Sequence, residues 1–465
     1  MTIATKFSVV VYLLLFSCFA CFGDEKGVDA AMSQKLKKFR QEDNLLKWID
    51  VRNNYFLEQP SKRLEVLEET ESEAWRAPQT SEEKEAWLYL MVYQGYYQLY
   101  NGDILKSIEK YEEAYQYHLK NKVSIDVDEY ILKPLANNYT RIGDYPRAIY
   151  LQTQSLKIAA RNQNKPLMAS VSGNLALSYL FSGSFDNAEQ SAANGLEVVA
   201  TNSPVKGLLK SILAEVHHIR KDHLEPLRLA KEAIHILHNT NGKPYWLMGA
   251  YSLAGDICLD LKDYALADVY YKSAFGIHAR NFRAGRRREL ARLYTSKSKS
   301  ALAQNQVRSA IELASKAVST LIPNLATHEQ PVKAQLYAEN RLQEALLQLG
   351  KIKEHTKDMQ GALSYYLLAF QVNENLRNEF SYQASKQQLQ EESKIQTEKL
   401  MELAFRLYQD KKDEKFAQLM LEISEKSKAR ILSDQIQENL LKNSSGNPLL
   451  KKKLKLEQLL SYYQK

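Results

Sequence analysis

Apolar residues recur three and four positions apart along most of the chain, the spacing that lays a stripe down one face of a helix. Leu132, Leu135, Ala136 and Tyr139 keep this spacing, Gly143-Asp144-Tyr145 interrupts it, and Ala148, Ile149 and Leu156 resume it. The pattern predicts two antiparallel helices. Ala136 and Ala148 are small where the helices must approach, and Gly143 suits the left-handed residue that closes the first. The same setting returns in Gly183-Ser184-Phe185-Asp186-Asn187-Ala188 and Lys262-Asp263-Tyr264-Ala265-Leu266-Ala267. The beat is about forty residues, a period that marks a solenoid whose units bury their apolar faces only against their neighbours.

Residues flanking this region follow helical patterns of their own. Leu36, Phe39, Leu45, Leu46, Trp48 and Ile49 predict amphipathic helices in an N-terminal cap over 24–79, broken at Pro78. Thr80-Ser81-Glu82-Glu83 then has the spacing of a capping box. Residues 380–410 predict one long helix rich in Gln, Glu and Lys. In the C-terminal amphipathic-helix segment over 444–465, the breaker Ser444-Ser445-Gly446-Asn447-Pro448 precedes an amphipathic stretch from Leu449 to Tyr463, which offers Leu449, Leu450, Leu456, Leu459, Leu460 and Tyr463 as an apolar face. That face either folds back on residues 412–440 or serves as a docking or dimer surface.

The repeated residues resemble the tetratricopeptide repeat (TPR). One set holds Met91, Gly95, Gly102, Tyr111 and Ala114; the next hold Leu135, Ala136, Tyr139, Gly143 and Ala148, then Leu175, Ala176, Tyr179, Gly183 and Ala188. A fourth has Leu213, Ala214, Ala230 and Ala233, with Pro226 where the family places Ala. Tyr251, Gly255, Tyr264, Ala267, Tyr271 and Ala274 form a fifth, and Tyr294, Ala310, Ala314 and Ala317 a weaker sixth. The seventh keeps Leu346, Leu349, Gly350, Ala362, Tyr366 and Ala369, and a degenerate copy surrounds Ala417. The resemblance implies an all-α, right-handed TPR superhelix, an α-solenoid of about seven helix pairs with helical caps. The array is expected over 80–380, with a long helix, a degenerate last repeat and a linker helix over 381–443. Because the beat exceeds the about 34 residues of the standard repeat, the helices or their connections should be longer.

A second resemblance lies at Glu425-Lys426-Ser427-Lys428-Ala429-Arg430-Ile431-Leu432, which is similar to the helix joining TPR arrays to caspase-like CHAT domains. Such domains carry a His/Cys dyad. No histidine follows His355 and no cysteine follows Cys258, so neither dyad residue carries over. The alternative this raises is the sensor half of a CHAT-type protease, without its catalytic domain.

Composition agrees with helices joined by short turns: 17 Gly and 11 Pro in 465 residues, with 28 Tyr to wedge between helices. A net charge of +8 suits solubility and gives no indication of nucleic-acid binding. Lys6, the apolar run Phe7–Phe22 and Gly23 ahead of Asp24 read as a signal peptide over 1–23. The expectation is an exported protein of the periplasm, cell envelope or exterior. A lipid anchor at Cys18 or Cys21 stays open, since both lie in loosely lipobox-like settings. Cleavage would leave Cys258 alone, with no intrachain disulfide.

Candidate chemistry gathers on the first helices of the pairs. Lys133, Asn137, Thr140 and Arg141, then Ser170 and Asn174, fall at positions that line a concave groove. Lys133, Asn137, Arg141 and Asn174 are the residues expected to touch a partner. A cation with two amides can satisfy a desolvated carboxylate, but the next two basic positions of such a clamp are Leu208 and Ile212. His217, His218, His223, His235 and His238 crowd one repeat, and His235 and His238 have an i, i+3 spacing that can share a metal. With no HExxH and no second pair, they read as surface or packing histidines, and no metal is expected. Arg280, Arg283, Arg286, Arg287, Arg288 and Arg292 read as a solvated face or a docking site for an acidic partner. Tyr89, Tyr93, Tyr96, Tyr97 and Tyr100 read mainly as helix packing, with one or two rings left as anchors in the groove. No phosphate loop, GxSxG or paired-carboxylate set is present. The expectation is a non-enzymatic scaffold without cofactor that binds a peptide or partner protein, not nucleic acid.

Overall fold

A computed structural model of the protein describes residues 25–59, 62–222, 225–240, 243–283, 285–380 and 383–428. The expected signal peptide, Cys18, Cys21, His223, Ala429–Leu432 and the C-terminal amphipathic segment lie outside the described residues. Among the described residues there are 19 α-helices and no strand. The chain divides into two compact units, residues 1–90 and 91–465.

In the first unit, α1 (Glu25–Gln41), α2 (Leu45–Glu58) and α3 (Arg63–Glu73) precede the opening turns of α4 (Ser81–Asn101). Leu45, Trp48, Ile49 and Ala86 are its buried centre, with Phe39, Trp75 and Trp87 around them. Trp48 and Trp75 meet edge to face, centroids 5.7 Å apart. Thr80 and Glu83 cap α4 reciprocally: the Glu83 N–H donates to Thr80 Oγ1 at 3.2 Å, and the Thr80 N–H to Glu83 Oε2 at 3.3 Å. Arg76 grips the same carboxylate through both oxygens, at 2.9 and 2.8 Å. These bonds, with arginine's first, hold the Glu83 pKa down at about 2 against the upward pull of burial.

The second unit is built of helix pairs. After α4 comes α5 (Ile104–Asn121), then α6 (Lys133–Ile142) with α7 (Tyr145–Arg161), and α8 (Lys165–Phe181) with α9 (Phe185–Val198). They are followed by α10 (Pro204–Ile219) with α11 (Glu225–Asn239), α12 (Pro244–Asp260) with α13 (Tyr264–Asn281), and α14 (Arg287–Ala303) with α15 (Val307–Leu321). The series ends with α16 (Asn340–His355), α17 (Met359–Glu379), α18 (Gln383–Lys411) and α19 (Glu414–Lys428). From α6 to α17 each helix packs on its partner or on a neighbouring pair, the main scheme of a solenoid. Pro226, out of pattern in the sequence, sits in the first turn of α11, where its missing N–H costs nothing.

The recurring Gly/Lys-Asp element is the turn inside a pair. Gly102, Gly143 and Gly183 have φ of +96°, +92° and +79° there, and Lys262 and Lys357 adopt +60° and +62° at the same place. Where the next residue is Asp, it closes the helix just finished and caps the one about to start; Ser184, after Gly183, makes no side-chain cap bond. The Asp263 N–H reaches back to Cys258 O at 2.9 Å, while its Oδ1 accepts from Leu266 N at 3.1 Å.

Pairs containing a central glycine use it for close approach. A Cβ on Gly95, Gly255 or Gly350 would stand 2.9, 2.7 or 2.5 Å from the ring of Tyr111, Tyr271 or Tyr366. Each ring lies flat against the bare backbone of the partner helix. Where the first helix carries Ala136, Ala176 or Ala214, the facing residue is Gln152, Ala192 or Ala230 instead. The stretched beat comes from long helices, 17 residues each in α7 and α8, and at two places from longer connections. A π-helical turn at Asp128–Leu132 runs straight into α6, and residues 322–339 link α15 to α16 through a short 3-10 turn at Lys333–Gln335.

Candidate binding surface on the first helices

On α6, Lys133, Asn137 and Arg141 stand four residues apart on one face. The ammonium of Lys133 donates to Glu129 Oε2 at 2.6 Å. Lys133 and Arg141 both face Tyr245, whose phenol burial pushes upward while Arg141, Arg286 and Lys133 partly offset it. On α8, Asn174 lends its carbonyl to the Ser178 hydroxyl at 3.2 Å. Ser178 and Thr140 join α8 to α6, hydroxyl to hydroxyl, at 2.7 Å. The side-chain amides of Asn137 and Asn174, both half-buried, make no hydrogen bond among the described residues. The neighbouring amide is structural: fully buried Asn138 donates to Ser107 Oγ at 2.8 Å and accepts from Arg141 Nη1 at 3.1 Å.

The arginine run differs from its sequence reading. Arg280, Arg283 and Arg287 are exposed as a solvated face requires, but Arg286 and Arg288 are buried. Arg288 donates through Nε to Glu339 Oε2 at 2.7 Å and through Nη2 to Asn340 Oδ1 and to the carbonyl of Arg141, each at 2.7 Å. Glu339 is fully buried and also caps α16 through the Arg341 N–H at 2.9 Å. These contacts join α14 to α16 and, across a long stretch of sequence, to α6, so the second helix pair meets the sixth. Arg292 stands 3.9 and 4.0 Å from Glu215 and Asp256.

Arg286 occupies the left-handed region at φ +55°, and its N–H donates to Tyr100 O at 3.2 Å. Gly285 before it lies so close to Tyr100 that an added Cβ would come within 2.5 Å of the ring. The Arg286 guanidinium lies over Tyr245 and Tyr100, 5.1 and 6.0 Å from their centroids. It is nine-tenths buried, and its Nε has no hydrogen-bond partner. The nearest carboxylate oxygen, Glu289 Oε1, is 3.6 Å from Nη1, beyond hydrogen-bond reach. Burial works against the charge of Arg286, but Glu289 and the surrounding tyrosines outweigh it and raise its pKa. Burial and the neighbouring Arg286 and Arg288 bring Arg141 down to about 10, with Glu289 opposing. Glu289 itself is held ionised, because these arginines overcome its desolvation. Three guanidinium groups thus meet two carboxylates, Glu289 and Glu339.

The described histidines of the crowded repeat serve the surface, whereas His278 is buried and donates to the Gly285 carbonyl at 3.1 Å. His217 and His218 bond Asp222 and Asp260 at 2.6 and 2.8 Å, and His235 contacts the Asn239 amide at 2.9 Å. His235 and His238 line an open hollow of about 400 Å³ with Lys231 and Tyr251. No group of metal-ligating side chains is assembled among the described residues. Cys258 is buried and its thiol is pushed up to about 11, chiefly by burial. Among the described residues no helix is long and apolar enough to cross a membrane.

The convergence of Tyr100, Arg141, Tyr245 and Arg286 was not visible in the sequence. Its one signal was Gly285 beside three successive arginines in an inter-pair connection, where charge alone suggested solvent exposure.

No family model matches the sequence, and no curated protein matches it. Solved structures do. A Rap protein crystallised with competence and sporulation factor aligns over 76% of this chain and 94% of its own, with a TM-score of 0.54 at 14% identity. A tetratricopeptide repeat protein from Parabacteroides merdae aligns over 69% and 99%, with a TM-score of 0.36 at 16% identity. The apo form of RapI aligns over 63% and 99%, with a TM-score of 0.42 at 11% identity. At these identities the likeness is one of fold. The chain has the architecture of a TPR solenoid.

Proposed function

We propose that the protein is a non-enzymatic scaffold that takes an extended peptide, or a segment of a partner protein, along the groove face of its first helices. The observation that carries this reading is the pair Asn137 and Asn174. Consecutive first helices present half-buried amides with unspent hydrogen-bonding capacity, as a ligand's main chain requires at regular intervals. A protein of the same fold, the Rap protein, is crystallised with competence and sporulation factor, which supports a solenoid of this kind as a platform for partners. Asn137→Ala combined with Asn174→Ala should weaken peptide capture about tenfold with helicity unchanged, since each loses a hydrogen bond to the ligand. Peptide affinity indifferent to the double substitution would sink the groove assignment.

The apolar run before Gly23 motivates export as part of this proposal. Glu425–Leu432 motivates a second reading, the recognition arm of a CHAT-type protease. The intact mass of the endogenous protein separates the two. A product slightly below 53.4 kDa supports the exported scaffold, and one tens of kilodaltons larger supports the protease arm.

A further inference from the structure

We infer that the buried Arg286, with Arg141 beside it and Tyr96, Tyr100 and Tyr245 around it, is the anchor for a carboxylate group of the bound peptide. The inference rests on the peptide-binding reading and names the chemistry of its ligand. A guanidinium has five N–H donors, and burying them unpaired is costly. Those of Arg286 make no hydrogen bond among the described residues, its Nε is without a partner, and the 3.6 Å to Glu289 leaves that carboxylate outside bonding distance. Arg288, two residues on, by contrast makes three hydrogen bonds, to Glu339, Asn340 and the Arg141 carbonyl.

The surroundings suit an anion of modest size. Charge is unbalanced toward the arginines, so an incoming carboxylate completes the count rather than opposing it. The Arg286 guanidinium lies over the rings of Tyr100 and Tyr245, and its N–H groups, which make no hydrogen bond among the described residues, suit planar two-point recognition. Tyr96 rests against Tyr97 and Tyr100 and is 42% exposed, which gives the cluster a side open to solvent. The carboxylate can belong to an Asp or Glu side chain or to the peptide's C-terminus.

The test uses the full chain and fluorescein-labelled degenerate peptide pools of about ten residues, long enough to span neighbouring helix pairs. One pool contains Asp and Glu and is amidated at its C-terminus. A second has no acidic residue but a free C-terminus; a third has neither carboxylate. One of the first two should bind about tenfold tighter than the third, as a two-point charge-assisted contact requires, and which one identifies the source. Arg286→Gln should erase that preference. Glu289→Gln, which removes the competing resident carboxylate, should sharpen it severalfold, and it reports on the site even if Arg286→Gln fails to fold. Equal binding of all three pools, or an unchanged preference in folded Arg286→Gln, overturns the anchor while leaving the scaffold intact. Binding of no pool overturns the peptide reading and the anchor with it.

Discussion

Two kinds of turn hold the second unit together. Inside a helix pair the chain reverses on a left-handed residue followed by a cap, as at Gly143-Asp144 and Lys262-Asp263, and the closing and capping bonds are local. Between α13 and α14 it passes through left-handed Arg283 and Arg286, with no side-chain cap on α14. A left-handed non-glycine residue costs roughly 1–2 kcal/mol. Local bonds, such as His278 Nε2 to the Gly285 carbonyl at 3.1 Å, are joined here by remote ones: Tyr100 accepts the Arg286 N–H, and the Arg141 carbonyl accepts from Arg288. The first kind of turn is set by its own residues. The second needs distant parts of the array as well, at the place where the Arg286 guanidinium is found without a hydrogen bond.

Removing a remote contact should therefore hurt most. Glu339→Ala leaves Arg288 buried without its carboxylate and should cost about 3–5 kcal/mol in urea denaturation, whereas Glu339→Leu with Arg288→Met should recover most of it. Next comes close packing inside a pair. Gly255→Ala drives a methyl group into the Tyr271 ring and should cost about 1–3 kcal/mol. Adding Tyr271→Ala should make the glycine substitution nearly neutral, so a double-mutant cycle checks the contact.

A local cap reinforced from a short distance should matter less. Glu83 has its pKa held down at about 2, so its contribution is complete above the unfolded value near 4.5 and is lost as pH falls toward 2. Melting followed through that window should show a smaller decline in Glu83→Gln, which at neutral pH should be about 1–2 kcal/mol less stable. The smallest effects belong to the bare turn residues. Gly143→Ala should destabilise and Lys262→Gly stabilise, each by about 0.5–1 kcal/mol, because one creates and the other relieves a left-handed side chain. Equal responses at Glu339 and Gly143 would erase the distinction between the two kinds of turn.

The same distinction explains what could be read from the sequence. Gly143, Asp144 and Ala148 announce a helix pair because their work is done within one period, and Thr80 with Glu83 announces a cap for the same reason. Arg286 and Arg288 follow no period, since their partners Tyr100, Arg141 and Glu339 are brought near only by the stacking of many units. Of the two readings of the arginine run, a solvated face or a docking site for an acidic partner, the first does not hold at buried Arg286 and Arg288. On α6 the difficulty was finer. Asn137 and Asn138 are identical in kind and about 100° apart around the helix, and only the packed structure assigns the second to the Ser107 hydroxyl.

The keyed contact of Gly95, Gly255 and Gly350 with Tyr111, Tyr271 and Tyr366 bears on how such an array can be recombined. A second helix bearing the tyrosine cannot be grafted behind a first helix that carries Ala136 or Ala176, because the methyl group stands where the ring must lie. The reverse graft, alanine behind glycine, leaves a void the size of the missing ring. Duplication and exchange must therefore copy both helices as one heritable block, and chimaeras cut inside a block should be recovered far less often than those cut between blocks.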